Sequence, residues 1–431
     1  MKTLRLGSVG PSVQLLQKAL VRAGFGPLAL DGLFGPATQE ALRRFQAAQH
    51  VAADGIAGPR THRALLPWYT GSLKLRLRSG DTFYALAQRW GSSPELIEAA
   101  NPGLSPENLP IGAFVTVPLP FPVVPADIAW SAELVELCVQ GLRERYPFLS
   151  AGSYGRSALG RPLRSLFLGD GPLRVVYTAE HHANEWITTP LLFTFAEQLC
   201  AAFVGGADIF GRSAAGLLAG ASLCLVPAVN PDGIDLVTGE LSSGPAFERA
   251  RRLAASYPRY PFPSGWKANL CGVDLNLQYP AGWEQARAIK FAAGIDSPAP
   301  ADYVGSAPLS APEAKALYSL TRRFDPARLF AWHTQGAVIY WRYRNEAPPE
   351  SEALVRRFAA ASGYTPEDTP YASDFAGYKD WFIQDYQRPG FTVEAGRGVN
   401  PLPLSDFDAL WQENLGIFVE GMTGEYNTNE K

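Results

Sequence analysis

Apolar residues recur along the first 70 positions with the spacing of helices. Val13, Leu16 and Leu20 fall at i, i+3 and i+7, one stripe of a helix that Gly24 is placed to end. The stretch DGLFGPATQEAL at 31–42 returns as DGIAGPRTHRAL at 54–65, an offset of 23 residues. In each copy a glycine, Gly35 or Gly58, precedes a proline, Pro36 or Pro59, at the first helical position, where a missing N–H costs nothing. These signals predict a compact three-helix unit over residues 1–68. Beyond Gly71 the period changes: Leu73, Leu75 and Leu77 alternate with Lys74, Arg76 and Arg78, which is the pattern of a strand. SGDTFYALAQRWGSSPELIEAANPGL then carries two short helices with Thr82 and Ser93 as N-caps, and FVTVPL closes a βααβ unit over 72–119.

PLPFPVVP at 118–125 holds four prolines in eight residues, which predicts a stiff, extended linker at 120–126. From 127 to 425 short apolar runs alternate with helical patterns, as expected of an α/β domain on a parallel or mixed sheet. RVVYTA, SLCLVPAV, RLFAWH and GFTVEAG are candidate strands; 131–144, 188–203, 312–324 and 405–421 are candidate helices.

Composition narrows the possible partners. With 431 residues, 47% of them hydrophobic, the chain can bury several cores. A formal net charge of -3 and the lack of a basic run argue against nucleic acid, and no 18-residue apolar stretch suggests a membrane span. The N-terminus shows no apolar signal-peptide core, so the expectation is cytoplasmic synthesis followed by action on the cell wall or wall fragments, with a possible link to spores. Cys138, Cys200, Cys224 and Cys271 are far apart and form no thiolate zinc motif.

The chemistry concentrates where apolar strands end. LRVVYTAEHHANE leads to His182 and Glu185, RLFAWH to His333 and GFTVE to Glu394, in a chain with only 5 histidines. In open α/β sheets such ends converge on one crevice. Two histidines and a carboxylate with one open position are what a catalytic zinc takes, so His182, Glu185 and His333 are the candidate ligands. His181 is the alternative first histidine; His182 is preferred for its spacing to Glu185.

Three resemblances follow from these motifs. GSVGPSVQLLQKAL, DGLFGPATQEALRRFQ and DGIAGPRTHRALL resemble the peptidoglycan-binding domain of bacterial wall hydrolases, and SGDTFYALAQRWG with NPGLSPENLPIG resembles a LysM domain, which grips N-acetylglucosamine. Their apolar stripes by themselves imply only cores, so the resemblance alone carries the binding claim. HHANEWIT, VNPDG, GVDLN, AWH and PGFTVEAG occur in the order of the zinc carboxypeptidase family. That resemblance implies a mixed-sheet catalytic domain behind the three-helix and βααβ units, one Zn2+ per chain, Glu394 as general base and acid, and Asp274 as the carboxylate orienting the first zinc histidine.

Two places depart from the family pattern. Lys267 stands where an oxyanion-stabilising arginine is expected; a surface lysine beside Trp266 is the competing reading. The Asn-Arg pair that holds a terminal carboxylate reads Asn276-Leu277, so the bidentate clamp is missing. Tyr371, chosen over Tyr378, is the candidate substrate-side phenol, and Arg342, Arg344 and Arg397 are candidates for substrate carboxylates, with solvated surface arginines as the alternative. With RPGFTVEAGRGVNPLP at 388–403, the whole is similar to γ-D-glutamyl-diaminopimelate endopeptidases. The resemblance implies peptidoglycan glycan strands and stem peptides as partners. A conventional carboxypeptidase and a non-catalytic wall-binding protein are the alternatives.

Overall fold

The computed structural model describes residues 1–424, so the last residue of the expected 127–425 segment lies outside it. Helices Pro11–Arg22, Pro36–Ala48 and Pro59–Thr70 are each entered through a glycine followed by proline. The sequence repeat is also a repeat of polar bonds. Gln17 donates to Asp31 (2.7 Å), the Leu33 carbonyl (3.1 Å) and Thr38 (3.2 Å). Gln46 does the same with Asp54 (2.9 Å), Ile56 (3.0 Å) and Thr61 (3.1 Å). Each buried amide is thereby satisfied by the turn it closes.

Strands Ser72–Arg76 and Phe114–Pro118 pair antiparallel around helices Phe83–Trp90 and Pro94–Ala99. Thr82 and Ser93 accept from the N–H groups of Ala85 (3.0 Å) and Leu96 (3.1 Å), which satisfies donors that the first helical turn leaves open.

The remainder is built on an eight-stranded sheet. Its centre is four parallel strands in the spatial order Ala221–Val226, Leu173–Ala179, Arg328–His333 and Gly390–Glu394. These are the apolar runs that lacked alternation, as befits strands covered on both faces. Antiparallel strands flank them: Pro162–Leu168 and Ser150–Arg156 on one side, Val338–Tyr340 on the other, with Thr365–Glu367 beyond it. After Leu173–Ala179 the chain first adds Ala221–Val226 on one side and later Arg328–His333 on the other. The strand order therefore reverses at the C-terminal end of Leu173–Ala179, where a crevice opens. Helices Thr188–Val204 and Phe407–Gly421 cover one face, with Phe195 stacked on Phe418 at 4.6 Å and Phe418 on Trp332 at 4.1 Å.

The proline-rich segment bends at 120–121 and 123–124 instead of running extended, and it does not cross open solvent. Val123 and Val124 are buried, and their N–H groups donate to the two oxygens of Glu197 (2.7 and 2.9 Å). Arg145 pairs with Glu197 at 3.3 Å and donates to the carbonyls of Gly71 (2.8 Å) and Leu119 (3.0 Å), which bracket the βααβ unit. Gly141, on helix Ala132–Arg145, lets the Thr70 carbonyl come so close that a Cβ would overlap it. At the far end of the three-helix unit, Glu240 accepts from Ser12 (2.6 Å) and pairs with Lys2 (2.7 Å). The N-terminal units are thus fastened to the larger one. Proline content implied an extended segment, but the chain bends as it sets two N–H groups against a lone glutamate in an apolar helix.

Glu197→Ala should lower the unfolding free energy by about 3–5 kcal/mol, because it leaves a buried guanidinium unpaired and two N–H groups without acceptors. Chemical denaturation checks this.

Candidate metal centre

Past Ala179 the chain turns sharply, with Glu180 at φ 59°, and delivers His182 and the single turn Ala183–Glu185 to the crevice. The Thr188 hydroxyl fixes this turn by donating to the Glu185 carbonyl (2.8 Å) and accepting from the Glu180 N–H (3.0 Å). Ala183 N–H donates to the Lys267 carbonyl (3.0 Å), which brings a distant loop alongside. His333 ends one parallel strand, Glu394 ends its neighbour, and the two are register partners.

His182 Nδ1 lies 3.0 Å from Glu185 Oε1, His333 Nδ1 lies 2.9 Å from Glu185 Oε2, and the two Nδ1 atoms are 3.2 Å apart. Asp274 Oδ1, 3.1 Å from His182 Nε2, accepts a hydrogen bond from that nitrogen, which leaves Nδ1 as the atom facing the other ligands. Lone pairs and a carboxylate facing one another repel unless a proton or a metal ion lies among them. Ligands of a tetrahedral zinc at about 2.0–2.1 Å stand about 3.3 Å apart, close to the spacing here. The donor set therefore fits zinc.

The surroundings are crowded with negative charge. Burial disfavours a charged His182, yet Glu185 and Asp274 outweigh it and raise its pKa to about 9. Burial likewise works against the Asp274 carboxylate, but His182 and Lys267 hold it well below the usual range. Glu394 has less help: burial and the Glu185 charge push it up to about 8. A cation held by the three ligand atoms draws it back toward the carboxylate form. Lys267 Nζ reaches Glu185 at 3.3 Å, so this lysine belongs to the site.

His182, Lys267, Asp274, Asn276, Leu277 and Glu394 line one pocket. The Asn276 side chain is anchored by accepting from the Tyr378 N–H (3.0 Å). Tyr371 does not line the pocket, although Pro370 and Ser373 do; it is 67% exposed, edge-on to Phe375, and accepts from Gln285 (3.2 Å), while Tyr378 is buried and bonded to Thr321 at 2.5 Å. His181 is buried against His333 at 5.3 Å, with neither ring nitrogen partnered among the described residues, and is not one of the three clustered ligands.

Arg342 and Arg397 do not line the pocket. Arg342 turns to Asp368 (2.8 Å) and lies over the Trp341 ring; Arg397 turns to Glu413 (3.4 Å) and is mostly exposed. Each guanidinium is met by an acid outside the crevice, and position near a strand end could not tell which acid it meets. Arg344 lies over the Phe375 ring at 6.0 Å. The lysines Lys290 and Lys379, with Asp302 and Asp380, line the pocket instead. The available signal was the pair of charges in YKDWFI, in a helix whose first six residues are all buried.

Comparison with known proteins agrees with this geometry. Residues 135–416 match the zinc carboxypeptidase family model, 9–65 that of a putative peptidoglycan binding domain and 76–118 that of the LysM domain. Over 286 residues the chain is 46% identical to gamma-D-glutamyl-L-diamino acid endopeptidase 1 of Lysinibacillus sphaericus, covering 66% of this chain and 70% of that one. It is 39% identical to YqgT of Bacillus subtilis (strain 168) over 66% of this chain and 74% of that one. In fold it is similar to bovine thrombin-activatable fibrinolysis inhibitor, with TM-score 0.52 and 19% identity over 68% of this chain and 96% of that one. Carboxypeptidase A of Helicoverpa armigera gives TM-score 0.51 and 18% identity over 78% of each chain. With one His–Glu–His cluster among the described residues to take the one zinc of such proteins, this zinc metallopeptidase belongs to the zinc carboxypeptidase family.

Proposed function

We propose that this chain hydrolyses peptidoglycan stem peptides at the bond between γ-D-glutamate and meso-diaminopimelate, with zinc held by His182, Glu185 and His333. The observation that carries the reading is Leu277, 7% exposed in the pocket wall beside Asn276, where a carboxylate-clamping arginine would stand in an exopeptidase. Leucine offers no donor, so nothing at that position rewards a free C-terminus. The 46% identity to an endopeptidase named for a γ-D-glutamyl bond supports the same reading.

Zinc, when bound, acidifies a water and polarises a carbonyl. The protein's own groups do the rest. Glu394 receives the proton of the attacking water and passes it to the leaving amine. The Lys267 ammonium faces the negative charge that grows on the substrate's carbonyl oxygen, as a point charge and not a fork. Asp274 keeps the proton of His182 on Nε2, so that Nδ1 stays a ligand. Tyr371, exposed next to the pocket residue Pro370, is the phenol that would meet the incoming peptide. The peptidoglycan-binding and LysM units hold glycan strands, which raises the local concentration of stem peptides and places the enzyme's work at the cell wall.

The purified chain should carry one zinc, and His333→Ala should lose it; stoichiometric zinc in that variant, by elemental analysis, would put the site elsewhere. Glu394→Gln should keep the metal and lose about 10²–10⁴-fold in turnover, since an amide cannot take the proton. Near-normal rates would remove Glu394 from its role. Mass spectrometry of muropeptide digests should show release of L-Ala-γ-D-Glu, with peptides ending in ordinary Phe or Leu left almost whole. Faster trimming of those C-termini would make the enzyme a conventional carboxypeptidase, and no hydrolysis by zinc-loaded protein would make it a wall-binding protein.

A further inference from the structure

The pocket that Leu277 lines also carries buried charge. Lys379 and Asp380 are 3% and 2% exposed, yet both line the space that His182 and Glu394 share. Lys379 Nζ donates to Asp380 Oδ1 and to the Arg342 carbonyl, each at 2.5 Å. An ammonium has three donors, so one is left. Asp380 Oδ2 accepts only the Gly377 N–H, at 3.1 Å, and keeps a lone pair. Thr392 and Tyr340 bring hydroxyls to the same walls.

Such a pair has no net charge and is costly to bury. An aliphatic or aromatic side chain laid over it would complete its desolvation without replacing a single hydrogen bond. A lone carboxylate would meet Asp380 as well as Lys379, and a lone ammonium the reverse. The complementary ligand carries both charges on one centre, at the end of a side chain that can lie in the pocket shared with His182 and Glu394.

Resting on the stem-peptide reading above, we propose that Lys379 and Asp380 form the specificity pair for the residue on the leaving side of the cut, receiving the carboxylate and the ammonium on the D-centre of meso-diaminopimelate. Lysine at that place in a stem peptide supplies the ammonium alone, and norleucine supplies neither charge.

The test uses the full zinc-loaded chain and four peptides L-Ala-γ-D-Glu-X, with X meso-diaminopimelate, its D-centre amide, L-lysine or norleucine. Loss of the distal carboxylate, by amidation or by lysine, should lower kcat/KM by about 10–100-fold, mostly through KM, and norleucine should fall further. Lys and norleucine peptides cut within about threefold of the diaminopimelate peptide would overturn the pair while leaving the stem-peptide reading standing. If no γ-D-glutamyl peptide is cut and ordinary C-termini are trimmed, the underlying reading falls instead. Lys379→Met, shown to be folded by its thermal transition, should bring the diaminopimelate-to-lysine preference close to unity. A folded variant that keeps a tenfold or greater preference would equally overturn the assignment; should it fail to fold, the four-peptide series on the wild type decides alone.

Discussion

Two imidazole nitrogens and a carboxylate, 2.9 to 3.2 Å from one another in a buried place, form an arrangement that needs a proton or a metal ion among them. Much else in the larger unit serves to hold it. Parallel strands set His333 and Glu394 side by side, the reversal of strand order opens the space in front of them, and a one-turn helix fastened by Thr188 carries Glu185 beneath both histidines. Asp274, from a loop far along the chain, fixes the tautomer of His182. The same crowding explains why Glu394 is reluctant to ionise and why Lys267, reaching into the crevice, keeps its proton against burial.

The sequence showed this centre plainly for a physical reason. Its four chemical residues follow uninterrupted apolar runs, and strands that enter a sheet covered on both faces leave their last residues at one edge. The three-helix repeat was equally visible, because Gly-Pro helix starts and the Asp31/Asp54 turns recur at a fixed offset. Long-range pairings were not visible. Nothing local distinguishes Arg342, which finds Asp368, from an arginine aimed at a substrate, and Lys379 and Asp380 lie in a stretch that reads as an ordinary helix start. Glu197 stands in an apolar helix, and only the folded chain reveals that it answers Arg145 and two backbone N–H groups from the proline-rich segment.

On the proposed reading, leucine in place of a guanidinium at 277 and the buried lysine-aspartate pair act in the same direction. The first removes the reward for a free chain end at Leu277; the second penalises side chains that bring no charge of their own. Selectivity built this way owes as much to what the pocket refuses as to what it welcomes.

The fastening of the N-terminal units has a consequence for how such a molecule would travel on its substrate. Arg145, Glu197, Glu240 and the close approach allowed by Gly141 tie the N-terminal units to the larger one at more than one place. A tethered blade sweeps a volume; a blade on a fixed arm meets only what lies at one distance and angle from the handhold. If those units hold glycan strands as proposed, successive cuts along a strand would require the grip to let go and take hold again.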